Sequence, residues 1–147
     1  MDAVDRTLLA ALQENARIST KDLASKVRLS APATAERLRK LQEAGVIEAF
    51  TALLDTKALG YHIEAIVRIR PLPGKLHVVE ALLQDMPQVA ECDKVTDDDG
   101  FVARILCRSI EHLDELLETI GEKAETSSAI VKRKIVSRRQ PALADEK

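Results

Sequence analysis

The sequence predicts an α+β protein that consists of an N-terminal winged helix-turn-helix and a ferredoxin-like β-α-β-β-α-β domain. Two observations lead to this prediction. Over the first 45 residues, apolar side chains recur at intervals of three and four, which is typical of amphipathic helices. From Tyr61 onward, short stretches of alternating apolar and polar side chains are interleaved with two further helical patterns, in the order of a split βαβ unit. We place the boundary after Gly60, which gives domains over 1–60 and 61–147.

The N-terminal domain is predicted to contain three helices, each preceded by a residue that can accept a hydrogen bond from the start of the helix. The helices cover residues 5–16, 20–27 and about 31–44, and their N-caps are Asp2, Ser19 and Ser30. Gly45 is expected to end the third helix. Residues 46–54 are β-prone and predict a small hairpin, a wing beside the helices.

The C-terminal domain is predicted to have four strands and two helices. The strands are expected over 62–70, 89–96, 101–107 and, last, about 129–136, and the helices over 75–86 and 110–120 after the N-cap Ser109. Two helices then cover one face of the sheet, and the other face needs a partner. Because that face lacks cover, a lone monomer is not expected.

Composition excludes several classes of protein. Hydrophobic residues make up 46% of the chain and charged residues 31%, which is the balance of a globular protein. The apolar runs are too short to cross a bilayer, and the N-terminus carries Asp2 and Asp5 rather than an apolar signal segment. We therefore expect a cytoplasmic protein with no membrane contact. Cys92 and Cys107 are expected to be small buried hydrophobes, with a disulfide or redox role as the alternative.

Enzymatic chemistry is not expected. The histidines His62, His77 and His112 lack the spacing of a metal site, and the chain has no Gly-rich phosphate loop and no Cys-x-x-Cys pair. Ser30 is better explained as a helix cap than as a nucleophile. The sequence thus predicts no catalytic residues, no metal and no cofactor.

Charge is unevenly distributed, although the net charge is only −2. Residues 21–40 carry six basic side chains against two acidic ones, and residues 91–99 carry one basic against five acidic. A cationic surface attracts nucleic acid and an anionic surface repels it, so the asymmetry indicates two separate tasks.

The third helix is the candidate for contact with DNA, because the second helix of a helix-turn-helix lies in the major groove with its first residues at the base edges. The predicted DNA-binding residues are Lys21, Ser30, Ala31, Ala33, Thr34, Arg37, Arg39 and Lys40. Small side chains at the start of the helix allow close approach to bases, although Thr34 has the alternative of packing inward. Arg37 can reach a guanine edge or a phosphate, whereas the other cations are better placed for the phosphate backbone.

The ordered motifs of the chain resemble those of the Lrp/AsnC (feast/famine) regulators. They are Asp5-Arg6-Thr7-Leu8-Leu9, Leu12-Gln13-Glu14-Asn15-Ala16-Arg17, Leu23-Ala24, Val27-Arg28-Leu29-Ser30, Arg37-Leu38-Arg39-Lys40-Leu41 and Ala44-Gly45-Val46-Ile47, followed by Leu54-Asp55 and Leu59-Gly60. The resemblance runs from about Val4 to Ser137. It implies a sequence-specific regulator of transcription that binds double-stranded DNA, forms dimers through its C-terminal sheets and often assembles into tetramers, octamers or similar discs. It also implies control by a small effector, usually an amino acid.

The same resemblance places the effector region in the turn between the second and third strands. The predicted effector-binding residues are Thr96, Asp97, Asp98, Asp99, Gly100, Ser127 and Ser128. An aspartate would accept from a ligand ammonium group, and backbone N–H groups or hydroxyls would donate to its carboxylate. Members commonly have Gly where this chain has Asp97, so a basic amino acid or a metal ion is the alternative ligand. A turn-forming cluster exposed to solvent is the remaining interpretation of the aspartates.

Three features stay open at this stage. Glu36 stands where relatives often have a basic residue, and it can repel phosphate, accept from cytosine or pair with Lys40. The basic segment 132–139 is either a charged edge strand or an auxiliary phosphate contact. A helical domain that contacts protein rather than DNA is the alternative to a regulator.

Overall fold

The computed structural model describes residues 1–96 and 100–143 and places five helices and four strands in them. The chain divides into two compact units. One unit, here the helical unit, consists of residues 1–53 together with the C-terminal segment that begins at Val136; the other, the sheet unit, covers 54–135. The division falls before the predicted boundary at Gly60, and the last part of the chain groups with the helices.

The helical unit contains α1 (Ala3–Glu14), α2 (Thr20–Val27) and α3 (Ala31–Glu43). All three predicted N-caps are confirmed, because the side chains of Asp2, Ser19 and Ser30 each accept from a backbone N–H in the first turn. At α1 the cap is reciprocal: the Asp5 N–H donates to Asp2 at 2.8 Å and the Asp2 N–H donates to Asp5 at 2.9 Å.

Burial of one stripe from each helix holds the three together. Leu8, Ala11 and Leu23 form the buried centre. Five partly buried side chains pack around it, namely Val4, Leu12, Ile18, Val27 and Leu38. The turn between α2 and α3 passes through Arg28, whose φ of 55° is left-handed, and the Leu29 N–H donates to Ala24 O at 3.1 Å. This is the short turn that the sequence predicts.

The predicted wing is wrong. No described residue between α3 and Ile63 is in a strand. The Val46 and Ile47 N–H groups instead donate to Leu41 O, at 2.9 and 3.1 Å, which closes the end of α3. β-Prone side chains form a strand only when a neighbouring strand accepts their backbone hydrogen bonds, and the described chain supplies none here.

The sheet unit contains β1 (Ile63–Pro71), α4 (Leu76–Asp85), β2 (Val89–Lys94), β3 (Phe101–Cys107), α5 (Ile110–Gly121) and β4 (Ala124–Ile130). The strand order is β2-β3-β1-β4, and all three neighbouring pairs are antiparallel. This is the predicted β-α-β-β-α-β arrangement. Alternate residues of β1, namely Ala65, Val67 and Ile69, are buried in the core with side chains from α4 and α5.

The last strand lies earlier than predicted. β4 is Ala124–Ile130, whereas the sequence prediction rested on residues 129–136. Ile135 and Val136 are 76% and 62% exposed and lie beyond the sheet. Pairing with β1 selects the small polar stretch after α5, since the sheet neighbour matters more for a strand than the propensity of the segment itself. The charged segment 132–139 is therefore not an edge strand.

The face of the sheet that carries neither helix is mixed in character; we call it the open face. It presents Glu64, Ile66 and Arg68 of β1 beside Arg104 and Leu106 of β3. Glu64 forms an ion pair with Arg104, and Lys134 Nζ lies 3.1 Å from its other oxygen. In the described part of the chain, no helix is long and apolar enough to cross a membrane.

Candidate DNA-binding helix and effector turn

The first turn of α3 is exposed and small in volume. Ser30 Oγ accepts from the Ala33 N–H at 3.3 Å, and Pro32 occupies the first turn, where a missing N–H costs nothing. Ala31 and Ala33 are exposed. A helix N-terminus with short side chains can approach DNA closely, and its dipole favours a phosphate. The predicted contacts of Ser30, Ala31 and Ala33 are compatible with this geometry and stay predictions.

Thr34 is not available to DNA, and its prediction as a contact is wrong. The side chain is fully buried, and Oγ1 donates to Ser30 O at 3.0 Å. A hydroxyl that bonds the carbonyl four residues earlier lies along the helix rather than away from it. Of the two alternatives that the sequence left open, the structure has the inward one.

Arg37 links α3 to the start of α1. Its Nη1 atom lies 2.7 Å from Asp2 Oδ2 and 2.8 Å from Asp5 Oδ1. These are the two carboxylates of the α1 capping box. The Asp5 N–H, and then Arg37, hold the pKa of Asp2 below its usual value. Any contact between Arg37 and a base therefore requires that the guanidinium leave two carboxylates.

The outer face of α3 carries its own counter-charges. Glu36 accepts from Arg39 through both oxygens, at 2.7 and 2.9 Å, and Glu43 pairs with the same guanidinium. The Arg39 hydrogen bonds hold the pKa of Glu36 below its usual value. Lys40 Nζ lies 3.9 Å from Glu36. The expected pairing of Glu36 with Lys40 is present but long, and Arg39 is the main partner that the sequence prediction missed.

Exposed cations without a counter-ion occur at the connection between α1 and α2. Lys21, in the first turn of α2, is exposed, as is Arg17 just before it. Within residues 1–96 and 100–143 neither side chain has an ion pair. Lys21 thus keeps the free charge that a phosphate contact needs, and its contact with DNA stays a prediction.

The effector turn is described only at its ends, because Asp97, Asp98 and Asp99 lie outside the described residues. The Val95 N–H donates to Gly100 O at 2.9 Å, which closes the hairpin between β2 and β3. Gly100 has a φ of +80°, and a Cβ there would lie 3.0 Å from Pro71 Cδ. Only glycine fits this position without strain.

Ser127 and Ser128 do not share a face of the sheet. Ser127 lies opposite Arg68 on the open face, whereas Ser128 lies opposite Val67 on the face that the helices cover. β1 also separates β4 from the hairpin strand β3, a distance of roughly 10 Å between strands that are two apart. In a single chain the two hydroxyls and the described ends of the turn therefore do not surround one cavity.

The comparisons with known proteins cover both units. Residues 1–42 match the AsnC-type helix-turn-helix domain, and residues 64–141 match the Lrp/AsnC ligand binding domain. The chain belongs to the Lrp/AsnC family. The resemblance seen in the sequence is confirmed, and so is the fold class of a helix-turn-helix followed by an α+β sheet domain.

Similar Lrp/AsnC proteins match almost end to end. HTH-type transcriptional regulator Rv2324 of Mycobacterium tuberculosis is 33% identical over 96% of this chain and 98% of its own. The structure of E. coli AsnC has a TM-score of 0.86 at 28% identity and covers 95% of this chain and 97% of its own. The feast or famine regulatory protein Rv3291c of M. tuberculosis, complexed with L-methionine, has a TM-score of 0.86 at 29% identity with the same coverage.

This Lrp/AsnC chain is thus a transcriptional regulator with a helix-turn-helix for DNA and a ligand-binding domain. The structure has no disulfide between the two cysteines, which both lie in its described part. Both are free, and burial of each thiol raises its pKa, which disfavours the reactive thiolate. Cys107 is buried as predicted, whereas Cys92 is exposed on β2.

The Lrp/AsnC ligand domain also has a shallow cleft that the sequence prediction missed. It lies beside the base of the effector hairpin, has a volume of about 130 Å³, and is lined by Glu80, Leu83, Gln84, Cys92, Lys94 and Phe101. Lys94 Nζ lies 3.6 Å from Glu80 and 5.9 Å from the centre of the Phe101 ring. The pairing between α4 and β2 is not local, so no sequence pattern reveals it.

Proposed function

We propose that this regulator binds double-stranded DNA sequence-specifically with the first turn of α3 in the major groove. The observation that carries the proposal is the exposed, small-residue N-terminus of α3, with its N-cap at Ser30 and free cations near the start of α2. In this arrangement Ala31 and Ala33 approach the base edges. Lys21, Arg39 and Lys40 contact phosphates, which supply affinity without sequence information.

Arg39 and Lys40 reach phosphates only by exchanging partners. Each has a carboxylate of the same helix as its counter-ion, and these exposed ion pairs are weak. A phosphate is a competing acceptor of the same charge. The exchange therefore costs little, and Glu36 reduces rather than abolishes the cationic character of the helix.

The proposed effector is an amino acid bound at the turn between β2 and β3. The match of residues 64–141 to a ligand binding domain supports this, as does the L-methionine complex of the M. tuberculosis relative. An aspartate among residues 97–99 accepts from the ligand ammonium group, and its acidic neighbours favour lysine or arginine over neutral amino acids. Thr96 and Gly100, at the ends of the turn, remain the proposed donors. Ser127 and Ser128 lie on opposite faces of β4, so within one chain they do not both donate to a ligand in the turn. The effector acts as a reversible ligand and not as a cofactor.

Self-association is the second part of the proposal. On the open face of the sheet, Ile66 is exposed and Leu106 is partly buried, and both lie between charged side chains. A sheet face with apolar side chains and no helix over it can pack against a second protein surface. A second copy of the chain gives a homodimer, and further contacts between dimers give a tetramer or octamer. An effector ligand in the turn can then alter assembly as well as DNA affinity.

Catalysis and membrane contact play no part in the proposed function. Within the described residues no group of three or more His, Cys, Asp or Glu side chains could hold a metal ion. Relatives are named as transcriptional regulators. A regulator acts where the DNA is, so we place the protein in the cytoplasm.

A titration of DNA against the protein tests the main proposal. The protein is expected to retard a duplex from its own upstream region at lower concentration than a random duplex of equal length, and both affinities should fall steeply with salt. Binding that is absent or insensitive to salt would instead support a helical unit that contacts protein.

Calorimetry tests the effector separately. The twenty amino acids are titrated one at a time, with and without divalent metal, and lysine or arginine is expected to bind most tightly. Failure of every amino acid to bind would refute the effector proposal but leave the DNA proposal intact. Light scattering on the same sample gives the oligomer, and a monomer at micromolar concentration would refute self-association.

A further inference from the structure

The arginines of α3, the proposed recognition helix, already form ion pairs with carboxylates of the helical unit. Arg37 has two carboxylates of α1 as partners, and Arg39 has two carboxylates of α3. Affinity for DNA depends chiefly on neutralised phosphates. A helix whose guanidinium groups are already paired supplies somewhat less phosphate neutralisation than its composition suggests, so unpaired cations elsewhere in the unit can add to the affinity.

The C-terminal segment brings such cations to the helices. Residues 132–139 contain five basic side chains and no acidic one. Lys134 forms an ion pair with Glu64 within the sheet unit. Arg138 and Arg139 lie in the C-terminal segment that begins at Val136 and belongs to the helical unit. There the Gln13 side chain of α1 donates to Pro141 O at 3.4 Å.

This contact places the segment near one end of α1. Gln13 lies in the last turn of α1, one helical turn before Arg17 and the connection to α2. Arg139 precedes Pro141 by two residues, which limits the distance between their Cα atoms to about 7 Å. The segment therefore approaches the end of α1 that leads to Arg17, which has no ion pair within the described residues.

Within the described residues, Arg138 and Arg139 have no counter-ion. Both side chains are exposed, and neither forms an ion pair with any residue that the structure describes. Two adjacent guanidinium groups without a carboxylate partner have their donors free for phosphate oxygens, which they can bind in bidentate fashion.

We propose that Arg138 and Arg139 bind DNA phosphates beside the C-terminal end of α1, so that the C-terminal segment is a second DNA contact of the helical unit, separate from the first turn of α3. The inference rests on the proposed DNA binding and adds a contact that carries no sequence information. It assigns to the segment a role in affinity and salt dependence, and leaves base recognition to the first turn of α3.

The test is the double variant R138Q/R139Q, measured by fluorescence anisotropy at several salt concentrations on the upstream duplex and on a random duplex. The slope of log affinity against log salt should be shallower by about 1.8, because each lost phosphate contact removes about 0.9. The loss should be equal on both duplexes. The matched control is K75Q/R108Q, which removes the same charge from exposed positions of the sheet unit and should leave the slope within error.

Each other outcome would overturn the inference in a distinguishable way. An unchanged slope in R138Q/R139Q means that the segment does not contact DNA. A loss confined to the upstream duplex means that the arginines read bases, and an equal change in K75Q/R108Q means that net charge alone matters. If the unmodified protein binds neither duplex, the proposed function itself fails. Circular dichroism and light scattering on both variants exclude unfolding or altered assembly as the cause.

Discussion

Arg37 Nη1 lies 2.8 Å from Asp5 Oδ1, with the Asp5 side chain only 15% exposed, so the recognition helix is joined by an ion pair to the first turn of α1. The same atom also contacts Asp2, the N-cap of α1. One guanidinium thus bridges two carboxylates that already satisfy the free N–H groups of a helix start. The capping box therefore contacts α3 as well as satisfying the beginning of α1.

Replacing Arg37 should lower the stability of the protein, and any change in DNA affinity should be the same for specific and random duplexes. We expect R37Q to lower the free energy of unfolding modestly, since the Asp5 side chain of the pair is only 15% exposed. Urea denaturation measures this, and a double-mutant cycle with D5N should return a coupling of similar size. K26Q is the control, because Lys26 is exposed on α2. A loss of about 1–3 kcal/mol in binding to the specific duplex alone would instead make Arg37 a base contact.

Removing Glu36 should strengthen binding to DNA. The E36Q variant removes one of the two carboxylate partners of Arg39 and the partner of Lys40, and it takes a negative charge from the face of α3. We expect tighter binding to specific and random duplexes and a steeper dependence on salt, with little change in the free energy of unfolding. The comparison is E118Q, which removes an exposed carboxylate from α5 in the sheet unit. Weaker binding to the specific duplex would show that Glu36 accepts a hydrogen bond from a base.

Acid should weaken the sheet unit through Glu64. Burial alone would raise the pKa of this carboxyl, but hydrogen bonds from Lys134 and Arg104 outweigh it, and its pKa lies below the usual value. A carboxyl with a lowered pKa in the folded state stabilises the fold above its unfolded pKa of about 4.3, and this is lost as pH falls towards the folded pKa. The stability difference between the unmodified protein and E64Q should therefore be full at pH 7 and shrink below about pH 4. Parallel stability curves for the two proteins down to pH 3 would contradict this.

Substitution at Gly100 should destabilise the effector hairpin. G100A combines a left-handed φ with a Cβ 3.0 Å from Pro71, and we expect a loss of about 1–2 kcal/mol in the free energy of unfolding. Gly121, at the end of α5, has ordinary φ and nothing within 4 Å of an added Cβ. G121A should therefore be neutral or slightly stabilising. Equal stability of the two variants, measured by thermal unfolding, would mean that the hairpin adjusts without strain.

Local features of this chain could be predicted from sequence. The caps at Asp2, Ser19 and Ser30 depend on a residue three positions away, and they form as expected. The alternation in β1 likewise reports directly which side chains face α4 and α5. Such patterns can be predicted because the interacting residues lie within one helical turn or one strand.

Relations between distant residues could not be predicted. Arg37 looked free in sequence because its partner carboxylates are more than thirty residues away. β4 was placed too late because its small polar residues have little strand propensity and depend on β1 for pairing. The wing failed for the converse reason, since β-prone side chains at 46–54 have no pairing partner in the described chain.

The contact between Gln13 and Pro141 spans 128 positions of the chain. During synthesis α1, α2 and α3 leave the ribosome before the sheet unit, and their local contacts can form at once. The segment that docks on α1 is made only after the sheet unit. The helical unit is thus begun before the sheet unit is translated and completed after it.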